Sequence, residues 1–198
     1  MNPGTRKTGY VFFGMVATGK SYLAKAWAER LGGLYLNSDV VRKELAGLEP
    51  RGRSRDSFNE GMYTPNFTRR TYDELLRRAQ VYLSGDSHAC VVLDASYQSQ
   101  QERNRLRQGL AGQCRLFFIH CTCPESTVKK RLAEREIDPD AVSDGRWEIY
   151  QHQKERFMPP DELEPGQLVS IDTDRSLAVL LSVLEQAVQE KVNGAHAA

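Results

Sequence analysis

The sequence predicts an α/β domain, a parallel sheet wrapped by helices. Three observations carry that expectation. Strand-like apolar runs alternate with helix-spaced ones along the chain. Its 198 residues suit one domain with a substantial core. A glycine-rich turn, Gly14-Met15-Val16-Ala17-Thr18-Gly19-Lys20-Ser21, joins the first strand to the first helix and fits G-x-x-x-x-G-K-[ST].

The first strand is Tyr10-Val11-Phe12-Phe13. Leu23, Ala26, Trp27 and Leu31 then give the first helix one apolar face. A second strand, 33–37, leads into a helix at 39–46. Residues 49–65 are rich in Arg, Gly, Ser and Pro and lack periodicity, so a loop or broken helix is expected. The helix at 66–83 is striped by Leu75, Leu76, Ala79 and Leu83. The third strand, Ala89-Cys90-Val91-Val92-Leu93, ends at Asp94, and a helix follows at 99–111. After a fourth strand at 116–121, Pro124 suits the first turn of a helix at 125–136. Residues 137–145 read as an acidic loop containing Pro139. A helix at 146–156 is stopped by Pro159-Pro160. The fifth strand is 168–171, and Leu177, Leu180, Leu181, Leu184 and Val188 mark the last helix. Residues 193–198 are expected to fray. No repeat or linker divides the chain, so the expectation is one domain over 1–198, with a small lid at about 131–147.

A net charge of +1 supplies no global field to recruit nucleic acid or an anionic membrane. No apolar run approaches the ~20 residues of a membrane helix. Residues 1–8 lack the apolar core of a signal peptide, which points to the cytoplasm. The oligomeric expectation is monomer or homodimer. Cys90, Cys114, Cys121 and Cys123 have no zinc spacing and read as reduced core thiols. The basic residues from Arg51 to Arg78, with Phe58, Tyr63, Phe67 and Tyr72 interleaved, could form a nucleic-acid groove, but Asp56, Glu60, Asp73 and Glu74 dilute them, and they read with Arg103, Arg105 and Arg107 as charged surface. The histidines, His120 among them, form no ligand spacing and read as core or surface.

The glycine-rich turn carries the chemistry. Gly14 and Gly19 let the backbone wrap a phosphate without a Cβ clash. Loop amides and the helix N-terminus offer partial positive charge to the anion. The expected ATP contacts are Gly14, Met15, Val16, Ala17, Thr18, Gly19, Lys20, Ser21 and Tyr22, with Lys20 on the outer phosphates and the Ser21 hydroxyl on Mg²⁺. By composition, roughly one chain of this length in a hundred matches by chance, and the strand–loop–helix context lowers that further.

In open α/β sheets, ligands bind beyond the carboxyl ends of the strands. Strand two delivers Ser38-Asp39 there, and strand three Asp94-Ala95-Ser96-Tyr97. Asp94 fits the Walker B acid that holds Mg²⁺ or its water shell, or it caps a turn. Asp39 fits a base for a substrate hydroxyl, or an N-cap of the following helix. The two roles are compatible. Arg42, one helical turn on, could fork onto a substrate phosphate or carboxylate, or lie in solvent. Asp39, Arg42, Asp94 and Tyr97 form the expected substrate side. Arg131 and Arg135, one turn apart, could neutralise a transferring phosphoryl group from a closing lid, or pair with nearby acids.

Taken together, Gly14-x-x-Ala17-Thr18-Gly19-Lys20-Ser21, Asn37-Ser38-Asp39-Val40-Val41-Arg42-Lys43, Val92-Leu93-Asp94-Ala95-Ser96 and Arg131-Leu132-x-x-Arg135 resemble the P-loop kinases of the AAA-domain type, relatives of polynucleotide kinase, gluconate kinase and zeta toxin. The resemblance spans about residues 10–190. It implies the P-loop NTPase three-layer sandwich, with a five-stranded parallel sheet in the order 2-3-1-4-5, helices on both faces and a small lid. It also implies ATP and Mg²⁺ as cofactors, Asp39 as base with Arg42 beside it, Arg131 and Arg135 as lid arginines, and adenine near Asp172-Thr173 and Arg175. Residues 49–70 match no substrate signature.

The function expected is transfer of the γ-phosphate of ATP to a hydroxyl, on a small molecule or at a nucleic-acid 5′ end, by a catalytic set of Lys20, Asp39, Arg131 and Arg135. A nucleotide-binding ATPase or regulatory module without phosphotransfer is the alternative. No Asn-Lys-x-Asp guanine signature occurs.

Overall fold

A computed structural model describes residues 7–49, 61–85, 89–137 and 146–194. Five strands, β1 (Thr8–Phe13), β2 (Leu34–Asn37), β3 (Cys90–Asp94), β4 (Arg115–Thr122) and β5 (Leu168–Asp172), pair in parallel in the order β2-β3-β1-β4-β5. Among the described residues, seven helices surround them: α1 (Lys20–Leu31), α2 (Ser38–Leu45), α3 (Pro65–Ser84), α4 (Gln100–Gly109), α5 (Glu125–Ile137), α6 (Trp147–Arg156) and α7 (Leu177–Gly194). A 3-10 turn at Gly61–Tyr63 precedes α3. The expected class and strand order hold.

β1 is central and covered on both faces, so it reads as one apolar run rather than an alternating one. Its residues nevertheless divide by parity. Val11 and Phe13 join Val91, Leu93 and Phe118 in a core closed by Leu75, Leu83 and Leu106 of α3 and α4. Tyr10 and Phe12 join Val92, Phe117 and Ile119 under Leu23, Trp27, Leu180 and Leu184 of α1 and α7. Each large side chain so buried contributes roughly 1.5–3 kcal/mol. A third cluster places Val16 and Ala17 of the glycine-rich loop against Val128, Leu132 and Tyr150 of α5 and α6. The loop is thereby anchored to both helices.

Helix ends follow local chemistry. Gly32, at φ 62°, closes α1. Thr64 caps α3, and Pro65 opens it. Ser99 and Glu102 form a reciprocal capping box on α4. The cap of α2 is a correction: Asn37 Oδ1 accepts from the amides of Asp39 and Val40, so Asp39 is not the N-cap and its carboxylate is spared that task. Pro124 lies just before α5 and accepts from Thr127 and Val128. The middle of residues 49–65, nearly all of the acidic loop with Pro139, the middle of the lid and the end of the tail lie outside the described residues. No described helix is long and apolar enough to cross a membrane.

Candidate active site

Register brings the carboxyl ends of three strands together. Asn37 pairs beside Asp94, and Asp94 beside Phe12, just before Gly14. Above them opens a cleft of about 370 Å³. Lys20 and Ser21 line it from the loop, Asp39 and Arg42 from α2, Asp94 from β3, and Arg135 from α5.

The loop needs its glycines. Gly14 sits at φ 137°, and a Cβ there would lie 2.4 Å from the Cys121 carbonyl oxygen. Gly19 sits at φ 83°. Ala17 holds a left-handed φ of 60° without being glycine. The Gly14 amide donates to Ser96 O at 3.2 Å, fixing the loop to the end of β3. Lys20 Nζ folds back onto Met15 O at 2.6 Å. Gly14→Ala is expected to displace this backbone and weaken Mg-ATP binding by roughly tenfold or more, since both φ and space are violated. Calorimetric titration checks it, and unchanged affinity would refute the close packing against Cys121.

The acids are held by one asparagine. Asp94 is 1% exposed, and its Oδ2 accepts from Tyr35 Oη and from Asn37 Nδ2, each at 2.6 Å. Asn37 therefore caps α2 with its oxygen and grips Asp94 with its nitrogen. It ties the two acid-bearing strand ends to each other. Burial pushes the Asp39 carboxyl above its ordinary range, with Arg42 opposing and Asp94 adding to the shift. Burial lowers Lys20, with Asp94 opposing, and lowers Arg135, with Asp39 opposing. The cleft thus confines cations and carboxylates away from bulk water, which strengthens each pairwise interaction.

Arg42 is buried rather than solvated. Its Nη1 donates to Met62 O at 2.6 Å and to Thr68 Oγ1 at 3.1 Å, and its guanidinium lies 5.1 Å from the Tyr63 ring centre. These contacts fix its angle at the cleft wall.

Four further expected contacts are placed by the structure outside the lining of this cleft. Arg131 packs against the loop and is not part of the cleft lining. Its guanidinium donates to Ala17 O at 3.3 Å, Thr173 Oγ1 at 3.0 Å and Thr173 O at 2.7 Å. Thr173 is buried and donates to Thr18 O at 2.7 Å, bracing the same loop. Tyr22 follows Ser21 in the first turn of α1 and is 62% exposed. Tyr97 is 1% exposed and stacks on Tyr72 at 4.7 Å. Its φ of 38° turns the chain after Ser96 and sends the ring into the core.

Sequence reasoning missed the wall contributed by α6. Gln153 and Arg156 line the cleft, and Gln153 Oε1 accepts from the Val16 amide at 2.5 Å. The sequence signal was slight, because α6 is polar apart from Trp147, Ile149 and Tyr150, which pack near the loop. Ser21 and Asp94 offer hard oxygen donors in the same cleft, a set that fits Mg²⁺. Neither of the bonds that Asp94 accepts uses its Oδ1.

Comparison with known proteins gives the same picture. A gluconokinase from Sinorhizobium meliloti 1021 is 19% identical, with 97% of this chain and 95% of that chain covered, at a TM-score of 0.62. A shikimate kinase from Acinetobacter baumannii in complex with shikimate is 16% identical, with coverages of 95% and 96% and a TM-score of 0.60. An APS kinase from Mycobacterium tuberculosis in complex with AMPPNP and APS is 17% identical, with coverages of 93% and 98% and a TM-score of 0.59. At these identities the likeness establishes the fold. No curated protein matches the chain. The family model described as AAA domain matches residues 10–160, the stretch holding the loop, Asp39, Asp94 and Arg135, and the chain belongs to that AAA-domain family.

Proposed function

We propose that the protein transfers the γ-phosphoryl group of Mg-ATP to a hydroxyl of a small molecule. The observation that carries this reading is the position of Asp39. Its carboxylate borders the same cleft as Lys20, Ser21 and Arg135, and Asn37 relieves it of capping duty. In the reaction the acceptor oxygen bonds to γ-phosphorus while the β–γ bridging P–O bond breaks, its electron pair leaving with ADP. The acceptor proton passes to Asp39. Lys20 and Arg135 offset charge on the transferring group, and Arg42 orients the acceptor. Arg131 and Thr173 act indirectly, by holding the loop's shape. Ser21 and Asp94 would hold Mg²⁺, which neutralises phosphate charge when bound.

Three kinases named for small molecules share this fold, and the net charge of +1 adds no long-range pull on a polyanion. Both favour a metabolite over a nucleic-acid 5′ end. The test incubates γ-labelled ATP with a panel of hydroxyl-bearing metabolites and a 5′-hydroxyl oligonucleotide. Label is expected on a small molecule. Lys20→Ala is expected to cut that transfer by roughly a hundredfold or more and to weaken ATP binding as well. Release of free phosphate at a rate indifferent to every alcohol would instead establish an ATPase.

A further inference from the structure

We infer that Gln153 reads the terminal phosphoryl group of the nucleotide, occupying a loop amide until that group displaces it. The inference rests on the nucleotide-binding reading above. It adds a residue that no loop or acid motif contains.

Loops of this kind bind phosphate through backbone amides. In this chain the amide of Val16 already donates, to Gln153 Oε1 at 2.5 Å. The acceptor is an amide oxygen, the polar group nearest in character to a phosphate oxygen that a neutral side chain can offer. Gln153 comes from α6, well outside the motif in sequence, and it lines the cleft itself.

The contact is held in place. Ile149 and Tyr150, one turn earlier on α6, belong with Val16 and Ala17 to one apolar cluster. Lys154 pairs with Glu125 of α5 at 2.9 Å, and Lys129 of α5 lies 4.6 Å from the Trp147 ring centre. With α6 clamped to α5 and to the loop, the Gln153 amide is positioned rather than found by chance in solvent.

The position also selects which phosphate competes. The loop's second half, Gly19 to Ser21, opens the α1 N-terminus and suits the inner phosphates. Its first half is tied to the end of β3 through the Gly14 amide and Ser96 O. β3 carries Asp94, and Asp39 lines the same cleft, so Val16 faces the acceptor side, where the terminal group must lie. ADP, lacking that group, leaves the Gln153–Val16 bond intact. ATP must break it.

The test titrates Mg-ADP and the non-hydrolysable Mg-AMPPNP into wild type, Gln153→Ala and Gln153→Glu. A competing hydrogen bond removed at no cost to ADP is expected to tighten AMPPNP by roughly 3–10-fold in Gln153→Ala and to leave ADP within about twofold. Gln153→Glu places a carboxylate opposite the phosphoryl group and is expected to weaken AMPPNP more than ADP. The Val16 amide proton should shift upfield in Gln153→Ala, as the bond is lost. Equal changes for both nucleotides would show a merely structural prop and overturn the inference. Weaker AMPPNP binding by Gln153→Ala would make Gln153 a phosphate ligand and overturn it too. No uptake of either nucleotide by wild type would instead remove the nucleotide-binding reading on which it stands.

Discussion

Asp39→Asn is expected to lower phosphotransfer at least about a hundredfold while leaving Mg-ATP affinity within a few-fold. The amide matches the carboxylate in shape and cannot accept the acceptor's proton. The α2 cap belongs to Asn37, so that helix end does not depend on the Asp39 side chain. The wild-type rate should fall in acid, with an apparent pKa above the usual carboxylate range, since burial raises Asp39. The stability effect has the opposite sense. A carboxyl whose pKa is raised on folding stabilises the native state fully only below its unfolded value, near 3.8, and that contribution is lost as pH climbs through the folded value. At neutral pH, Asp39→Asn should therefore melt higher than wild type, with the gap closing toward acid. Steady-state kinetics with thermal melts across pH check both halves. Unchanged turnover would remove Asp39 from the mechanism.

Arg103→Ala is expected to cost about 3–5 kcal/mol, the loss typical of stripping one partner from a buried charge network. Arg103 is fully buried. Its guanidinium forks onto Glu162 at 2.6 and 3.1 Å and donates to four carbonyls, those of Tyr97, Gln98, Met158 and Pro159, at 2.9 to 3.1 Å. It also lies over Phe13 and Phe157, 5.4 and 5.9 Å from the ring centres, and those two rings stack with each other and with His120, centres 6.5, 4.9 and 5.2 Å apart. Burial lowers His120 to about 4, so that stack is neutral at physiological pH. Truncating Arg103 strands an acid and four carbonyl oxygens together. For a chain of this size the melting point should drop by roughly 6–20 °C. Arg103→Lys should recover little, because an ammonium cannot serve both edges of the fork. A loss under about 1 kcal/mol in denaturant unfolding would contradict this account of the segment after α6.

The contrast between these two residues shows what a sequence makes legible. The position of Asp39 at the cleft was readable because it depends on a strand end, a rule of parallel sheets and a spacing to Arg42. β1 and β3 were readable because strands covered on both faces are continuously apolar. Arg103 was not: among Arg105 and Arg107 it looked like charged surface, and only the return of the chain at Met158 and Pro159 buries it. Arg131 was readable as a helix-borne partner of Arg135, but its contact with Thr173 was not, since helical spacing says nothing of which arginine meets that residue. Tyr97 followed Asp94 by three residues, yet one left-handed φ redirected it. Asn37 stood in plain view before Ser38-Asp39, but its twofold task needs Asp94 on the next strand. In each case the missing information was a contact between residues far apart in the chain.

The central claim is that backbone amides after β1 cradle the phosphates of Mg-ATP beside the Asp39 carboxylate. Calorimetric titration of Mg-ATP into wild type and Lys20→Ala tests it most directly. The account expects saturable 1:1 uptake by wild type, in the micromolar range common for enzyme substrates, and a clear loss in the variant. A flat wild-type titration, or equal affinity in both proteins, would contradict it.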